Sequence, residues 1–409
     1  MYIIYGQCMW VYTSTCVHLI NRFSKCDDCV LLKKHEGKTF GATRKFWQNE
    51  HGKHIDWQRR ERAAQDADTA EAMAPGSQVM VIKMDNMDNS KSALPLFKRD
   101  PKSVEKCIKL VTHITGVHIP GARVNPIKCF TWHDRFPAGS DTVMTILLKV
   151  LRDYEDPLPP VLKLHMDNCF RENKNRFVLG LCHLLVHYGV FKKVSLSFLP
   201  VGHTHNIVDQ MFSRFSVALA KAMCMTVEEL HEVCSENYNV KGFKPVFEHI
   251  DEMANWTALL EPLLPAHKFQ GISKPRLFEV FRDEEGKVRH RYRNQLQDAT
   301  SLAELEKNFN NGYRLPKLPG GVEGQTDFAD LGWMPNNRSG YELFQADALP
   351  RTTDIPAVAL KPVAKEVLQE LIKALKPHVE TDAQLCWWTS KIAKFEDEDR
   401  RYDIFLLYD

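Results

Sequence analysis

Hydrophobic and polar residues alternate in blocks through the middle of the chain, and the period of the alternation changes along it. Short apolar runs of strand length begin with "VMVIKMD" at residue 79 and recur as "CIKLVTHITGVHI", "ARVNPIKCFTW", "VLKLHMD" and "KVSLSFLPVG". Between the later runs, apolar residues recur at helical spacing in "SDTVMTILLKVLRDY", "ENKNRFVLGLCHLLVHYGVF" and "HTHNIVDQMFSRFSVALAKAM". The pattern predicts the order β-β-β-α-β-α-β-α over residues 79–225.

The connections between these segments predict how the strands pair. The three leading strands are joined by short turns such as "PGA", which favours an antiparallel meander. The later strands are separated by helices, which requires crossovers and parallel pairing. The expected fold class is therefore α/β, with a mixed sheet at 79–225, an N-terminal region at 1–78 and a mixed C-terminal region of unassigned role at 226–409.

The flanking regions are less regular than this core. "WQRRERAAQDADTAEAMA" at 57–74 predicts a helix that ends before Pro75 and Gly76. The apolar first twenty residues lack a basic segment and a small-residue cleavage site, so a buried strand is favoured over a signal peptide or a membrane span. A Pro/Gly-rich stretch covers 315–340, and a helix is expected around 363–376.

Composition is that of an ordinary soluble protein, with 44% hydrophobic and 26% charged residues and a formal net charge of +2. Nucleic-acid contact would therefore require a local basic patch. The densest basic run is either a solvated face or a path for a phosphate backbone, and it consists of Lys91, Lys98, Arg99, Lys102, Lys106 and Lys109. Eleven scattered cysteines do not suggest a secreted disulfide framework, so we expect an intracellular protein without membrane association.

Three aspartates occupy matched places in the predicted core. Asp85 ends the first strand, Asp167 ends the fourth, and Asp209 lies in the second turn of the last helix. If those two strands are parallel neighbours, both side chains emerge at one edge of the sheet, and Asp209 can face the same cleft. Asp88 is an alternative to Asp85, which is favoured because it directly ends the apolar run. Clustered carboxylates repel one another unless cations neutralise them, and they suit Mg²⁺ or Mn²⁺.

These segments resemble the RNase H-like DDE/D transposases and integrases. "DNCFRENKN" is similar to the motif of the second acid in that superfamily, and "FLPVGHTHNIVDQMFSRF" is similar to the motif of the third. Together with "MDNMDNSK", they resemble more narrowly an uncharacterised domain family of transposon-derived eukaryotic proteins. The resemblance covers roughly 79–225. Outside this range it is faint, apart from the Cys pair and the Arg-rich helix.

The resemblance implies an RNase H-like fold and DNA strand cleavage and transfer. In that reaction Asp85, Asp167 and Asp209 hold two Mg²⁺ or Mn²⁺ ions, which clamp the attacking and leaving oxygens of a phosphoryl transfer. The implied partners are transposon ends and target DNA. The implied location is the nucleus, and the chain is expected to form a homo-oligomer.

Neighbouring polar residues are candidates for contact with the substrate, and they are Lys91, Asn168, Glu172, Asn173, His203 and His205. Asn168 either orients Asp167 or caps the following helix. Glu172 is interpreted as a residue of the first helical turn, where its charge complements the helix dipole, in preference to a metal ligand. The two histidines either contact DNA phosphate or make a structural hydrogen bond.

An N-terminal pattern suggests a second metal. Cys26-x2-Cys29 followed by His51-x2-His54 predicts a tetrahedral Cys2His2 zinc site in a region with little apolar content. The gap of 21 residues between the pairs differs from that of common zinc fingers. The alternative interpretation is two buried thiols and two surface histidines.

Two other functions remain open at this level. A domesticated or inactive transposon-derived module would keep the fold only to bind DNA or protein, and a nuclease of the same fold would cleave without strand transfer. The intact acidic triad favours an enzyme. The lack of a recognisable helix-turn-helix in the sequence favours the module.

Overall fold

The computed structural model describes residues 26–200, 202, 206–239, 242–264, 272–273, 275–293, 341–342, 354–356, 358, 365–394 and 401–403. Its α-helices, α1 to α9 in chain order, are Asp27–Lys38, Gly41–Met73, Ser140–Arg152, Arg176–His187, Ile207–Leu219, Val227–Glu236, Trp256–Leu260, Lys365–Leu375 and Asp382–Lys394. Its strands, β1 to β11, are Val79–Asn86, Thr112–His118, Ile127–His133, Val161–Met166, Lys193–Phe198, Val246–His249, Leu277–Arg282, Val288–Arg293, Tyr341–Glu342, Asp354–Pro356 and Arg401–Asp403. Short 3-10 helices cover Asn89–Lys91 and Lys376–His378. The strand expected in the first twenty residues and the stretch 315–340 lie outside the described residues.

Nine strands form one mixed sheet in the order β6-β3-β2-β1-β4-β5-β7-β8-β9. β2 pairs antiparallel with both β1 and β3, whereas β4 pairs parallel with both β1 and β5. The predicted α/β class, the antiparallel meander and the parallel pairing are therefore confirmed. The sheet also continues past residue 225, because β6 extends it beside β3 and β7 to β9 extend it beyond β5.

Apolar side chains cover both faces of this sheet. β3 contributes Cys129 to one buried cluster and Phe130 to the other, and successive residues of a strand point to opposite faces. One cluster packs beneath α3, α4 and α7, and the other beneath α5, α6, α8 and α9. β1 is central and its first six residues are buried, which explains its nearly continuous apolar sequence.

The second helix is much longer than the sequence predicted. α2 begins at Gly41 rather than near residue 57, so it also includes His51 and His54. Its C-terminal half contacts the sheet through polar pairs: Gln65 donates to the Ser197 hydroxyl at 2.9 Å, and Asp68 accepts from Lys163 at 2.7 Å. Within the described part of the chain, no helix combines the length and the apolar character needed to cross a membrane.

Candidate functional site

Two of the three predicted aspartates leave neighbouring strands at the same edge of the sheet. β1 and β4 run parallel, and Lys83 lies opposite His165 in their register. Asp85 and Asp167 each follow two residues later, so both are at the carboxyl ends of adjacent strands. Both side chains are half-buried. The strand pairing thus brings together two residues that are 82 positions apart in the chain.

Asp209 reaches this edge from the first turn of α5, one turn earlier than predicted. The helix begins with a capping box, in which the Asn206 side chain accepts from the backbone N–H of Val208 at 2.6 Å. In return, the backbone N–H of Asn206 donates to Asp209 Oδ2 at 2.8 Å. One oxygen of the Asp209 carboxylate is therefore held by the helix start.

The close approach of α5 to the sheet depends on Gly116 in β2. Gly116 lies opposite Asp85 in the antiparallel register of β1 and β2. A Cβ atom placed on Gly116 would lie only 2.6 Å from Met211 Cε, 2.7 Å from Val208 Cγ1 and 2.9 Å from Phe212 Cζ. The missing side chain lets the helix that carries Asp209 pack directly over the strand beside Asp85.

The carboxyl groups at this edge of the sheet influence one another electrostatically. Burial, together with the charges of Asp209, Asp167 and Glu172, raises the pKa of Asp85 to about 8. Burial also raises the pKa of Glu172, with a contribution from Asp167. We refer to Asp85, Asp167, Asp209 and Glu172 as the carboxylate cluster. Anionic charge on Asp85 and on Glu172 is therefore unfavourable unless a cation compensates for it.

Each aspartate of the cluster has one oxygen engaged by a neighbouring hydrogen bond. Asp85 Oδ1 accepts from the backbone N–H of Asn86 at 2.8 Å, and Asp167 Oδ1 accepts from the backbone N–H of Cys169 at 3.0 Å. Among the described residues, the other oxygen of each aspartate accepts no hydrogen bond. The cluster is nevertheless loose, because its oxygens are not all within 4.8 Å of one another.

Residues of the segment "ENKN", which precedes α4, form hydrogen bonds to this edge of the sheet. Glu172 Oε2 accepts from Asn86 Nδ2 at 2.7 Å, and Asn173 Nδ2 donates to Asp167 Oδ1. The helix itself begins at Arg176, so Glu172 lies in the preceding turn and not in the first helical turn. The interpretation of Glu172 as a helix-dipole residue is therefore wrong; the side chain faces the end of β1 instead.

Asn168 joins the ends of two strands and does not cap α4, a role that Asn175 fills. Asn168 Nδ2 donates to the Leu199 carbonyl just beyond β5, and its Oδ1 accepts from Lys174 Nζ at 3.0 Å. Burial lowers the pKa of Lys174 to about 7, helped by the charge of Arg276. This buried lysine was missed by the sequence analysis, although its spacing from Asn168 matches that of Asn173 from Asp167.

Asn86 and Thr115 were also missed. The Thr115 hydroxyl donates to Asn86 Oδ1 at 2.6 Å, while Asn86 Nδ2 donates to Glu172. Asn86 therefore links β2 to the turn before α4. The "DN" at Asp85-Asn86 repeats the "DN" at Asp167-Asn168, and this repetition is the sequence signal that could have indicated Asn86.

The remaining candidates lie away from the cluster or outside the described residues. Asp88 is exposed and accepts from the backbone N–H and the hydroxyl of Ser90, both at 3.0 Å, so Asp85 and not Asp88 joins the other acids. Lys91 is exposed at the end of a 3-10 helix. In the basic run, Lys109 pairs with Asp100 at 2.5 Å, and the other members are exposed. His203 and His205 lie outside the described residues.

A second group of potential ligands lies where α1 meets α2. The ligand atoms of Cys26, Cys29 and His54 all lie within 4.8 Å of one another, and Cys26 Sγ is 3.3 Å from His54 Nε2. This Cys–His group could hold a metal ion such as zinc. The predicted fourth ligand does not join it: His51 Nδ1 lies 3.9 Å from Glu36 Oε2 instead.

In the protein without a metal, the environment favours a neutral thiol at this group. Burial raises the pKa of Cys26 to about 11, and the charge of Cys29 contributes to the increase. His54 is fully buried, and both cysteines are half-buried. A bound cation would reverse this preference, because thiolates are the form that binds metals.

In comparison with known protein families, part of the chain matches one uncharacterised domain. No curated protein and no solved structure matches the chain. Residues 102–298 match the model of a domain of unknown function, DUF7869. The matched segment includes Asp167, Glu172 and Asp209 but starts after Asp85 and the Cys–His group. Over that segment, from before β2 to the end of β8, the chain is similar to the DUF7869 domain.

Proposed function

We propose that this chain cleaves and joins DNA strands by metal-dependent phosphoryl transfer, in the manner of the RNase H-like transposases that its motifs resemble. The observation that carries the proposal is the meeting of Asp85, Asp167 and Asp209 at the carboxyl ends of two parallel strands. These acids come from three elements that are distant in sequence. An arrangement of this kind lowers the stability of the folded state, because like charges repel and because burial raises the pKa of Asp85.

The donor set fits a hard divalent cation. Each aspartate of the cluster has one oxygen fixed by a hydrogen bond and one without a partner among the described residues, and carboxylate oxygens are preferred by Mg²⁺ and Mn²⁺. Asp85, Asp167 and Asp209 would hold the ions, which supply Lewis-acid stabilisation of the phosphate and a more acidic water. Closure of the cluster around its ligand is part of the proposal, because its oxygens are spread beyond 4.8 Å.

The surrounding residues keep the acids in position. Asn173 and the backbone N–H of Cys169 fix Asp167, and Asn86 holds Glu172 toward the end of β1. Lys174 and Asn168 connect the turn before α4 to the end of β5, where the segment leading to α5 begins. The nucleophile is first water, and then the 3′-hydroxyl that cleavage releases. The proposed partner is duplex DNA, which implies a nuclear location and assembly into a homo-oligomer on paired ends.

The test is cleavage of labelled duplex DNA by the full chain with Mg²⁺ or Mn²⁺, comparing the unchanged protein with Asp167→Asn. The asparagine keeps an oxygen that can accept from Cys169 and Asn173, so the turn is preserved while a charge is removed. We expect cleavage to fall by about 10³-fold or more, because a catalytic metal supplies several kcal/mol of transition-state stabilisation. The matched control is Asp156→Asn, which changes a half-buried aspartate near Arg123, and this variant should cleave DNA normally.

The same assay separates the alternatives. Joined products that contain the released 3′-end identify strand transfer, whereas cleavage alone identifies a nuclease without transfer. Binding without any cleavage by the unchanged chain, with either metal and on every end sequence tried, would overturn the enzyme and leave the binding module.

A further inference from the structure

We propose that Cys26, Cys29 and His54 bind one zinc ion that fastens α1 to α2. This inference does not depend on the proposed phosphoryl transfer, because the ligands, the metal and the region of the chain are all different. It also differs from the four-ligand site that the sequence predicted.

The three donor atoms are spaced as the ligands of one ion. Two sulfurs and one imidazole nitrogen lie within 4.8 Å of one another, which is the spread expected for atoms that share one tetrahedral ion with bonds of about 2.0–2.3 Å. Among the described residues, no further histidine, cysteine or acidic residue joins these three as a fourth ligand. Thiolate and imidazole are the ligands that zinc prefers, and they are poor ligands for Mg²⁺.

The backbone of α1 presents the two cysteines together. Cys26 is the residue before α1 and Cys29 is in its first turn, where Val30 N–H donates to the Cys26 carbonyl at 3.0 Å. The start of the helix thus directs both sulfurs to one side. His54 is presented by the rigid middle of α2, a helix of 33 residues, so the third ligand is also fixed in place.

α1 has almost no core of its own. Leu32 is the only residue of α1 that is buried, and it packs in a small cluster with Trp47 and Phe46. His35 stacks on Trp47 at 4.4 Å, which completes the contact at the far end of α1. An apolar contact of this size is a weak attachment, and in small metal-binding units the metal supplies the missing folding energy.

The position of the group explains what the zinc would hold in place. One turn after His54, Trp57 lies under the guanidinium of Arg276 at 4.3 Å, just before β7. Glu61, a further turn along α2, lies 4.0 Å from the same guanidinium. The Cys–His group therefore lies beside the contact between α2 and the edge of the sheet, and zinc would anchor α1 at that point.

The experiment measures zinc in the full chain after purification without chelator, with His54→Ala and its matched control His51→Ala. His51 is the same residue type on the same helix, one turn earlier, and it faces Glu36. We expect about one zinc per chain in the unchanged protein and in His51→Ala, and a loss of about tenfold or more in His54→Ala, Cys26→Ser and Cys29→Ser. Absence of zinc from the unchanged chain, even after reconstitution, or equal loss in both histidine variants would overturn the proposal.

A second variant guards against simple misfolding. His54→Cys replaces one zinc ligand with another, so it should restore zinc that His54→Ala loses. Cobalt substituted into the unchanged chain should give the intense visible absorption of a tetrahedral thiolate site. A Cys26–Cys29 disulfide in place of the metal, or a cobalt spectrum without thiolate character, would also overturn it. Asp167→Asn should keep its zinc, so failure of the proposed catalysis is distinguishable from failure of this site.

Discussion

The carboxylate cluster and the Cys–His group are built in opposite ways. The first brings together carboxyl groups from β1, the end of β4, the turn before α4 and α5, so its members are spread from Asp85 to Asp209. The second takes its potential ligands from one helical hairpin that spans Cys26 to His54. The first is an array of like charges with oxygens spread beyond 4.8 Å, whereas the second is a compact set that is neutral when its thiols are protonated.

The difference shows how ligand type and construction go together. Hard carboxylates that repel one another need a rigid sheet to keep them close, and the pairing of β1 with β4 provides it. Soft thiols impose no such repulsion, so a short and weakly packed hairpin is sufficient. We therefore expect changes at the carboxylate cluster to affect chemistry strongly, and changes at the hairpin to affect local stability.

The largest effect should separate the two acids that the sequence left open. Asp85→Asn should lower DNA cleavage by about 10³-fold or more, since it removes a ligand charge from the cluster. Asp88→Asn should leave the rate within about threefold, because Asp88 is exposed and its side chain accepts hydrogen bonds from Ser90. Zinc content should be unchanged in both. A similar loss of cleavage in both variants would contradict the assignment of Asp85.

The next effect tests how α5 reaches the cluster. Gly116→Val should lower the free energy of unfolding by about 1–3 kcal/mol, because the added atoms collide with Met211, Val208 and Phe212. Cleavage should fall as well, since Asp209 moves with the helix. Chemical denaturation measures the loss of stability, and cleavage of labelled duplex DNA measures the loss of activity. Unaltered stability would show that α5 is less closely packed than the contacts at Gly116 indicate.

A smaller effect concerns how the free energy of unfolding depends on pH when a chelator has removed metal ions from the protein. The pKa of Asp85 is about 8 in the folded chain and about 4 in an unfolded chain, so the folded state holds an extra proton between these values. The contribution of Asp85 to the free energy of unfolding should therefore fall as pH rises from about 4 to about 8. Asp85→Asn should remove this part of the slope and stabilise the chelated protein at pH 8 by at least about 1 kcal/mol.

Denaturation at several pH values in chelator checks this prediction. Adding Mg²⁺ to the unchanged protein should weaken the slope, because the ion stabilises the ionised carboxylates. The same slope in Asp85→Asn and the unchanged chain would mean that Asp85 is not the titrating group.

The smallest effect belongs to the hairpin. Gly52 is exposed in the interior of α2, and a Cβ there meets nothing within 4 Å, so Gly52→Ala should stabilise the chain by about 0.5–1 kcal/mol. Gly41→Ala is the matched control. It also has open space, but its φ of +57° disfavours a side chain, so it should be neutral or destabilising. Thermal unfolding measures both, and a gain at Gly41 equal to that at Gly52 would contradict this backbone argument.

Much of the core was predictable because its signals are local. Apolar runs of strand length and helical periodicity gave the order of elements over 79–225, and the length of each connection gave parallel or antiparallel pairing. The close spacing of Cys26 and Cys29 likewise pointed to a shared ligand, since both lie at one helix start. Asp85 and Asp167 were predictable for a related reason: each directly ends an apolar run.

The tertiary structure alone decided the finer contacts, because they depend on which elements become neighbours. The continuation of the sheet past residue 225 depends on β6 and β7 finding the edges formed by β3 and β5, and no local signal specifies that pairing. α2 runs from Gly41, so both histidines lie within one helix, which sets the direction of each side chain. His54 faces the cysteines, whereas His51 faces Glu36. Glu172 faces Asn86 because α4 starts four residues later than its sequence suggested. Over residues 79–225 the sequence thus determined the elements and the two aspartates at the strand ends, whereas long-range packing determined which side chains meet.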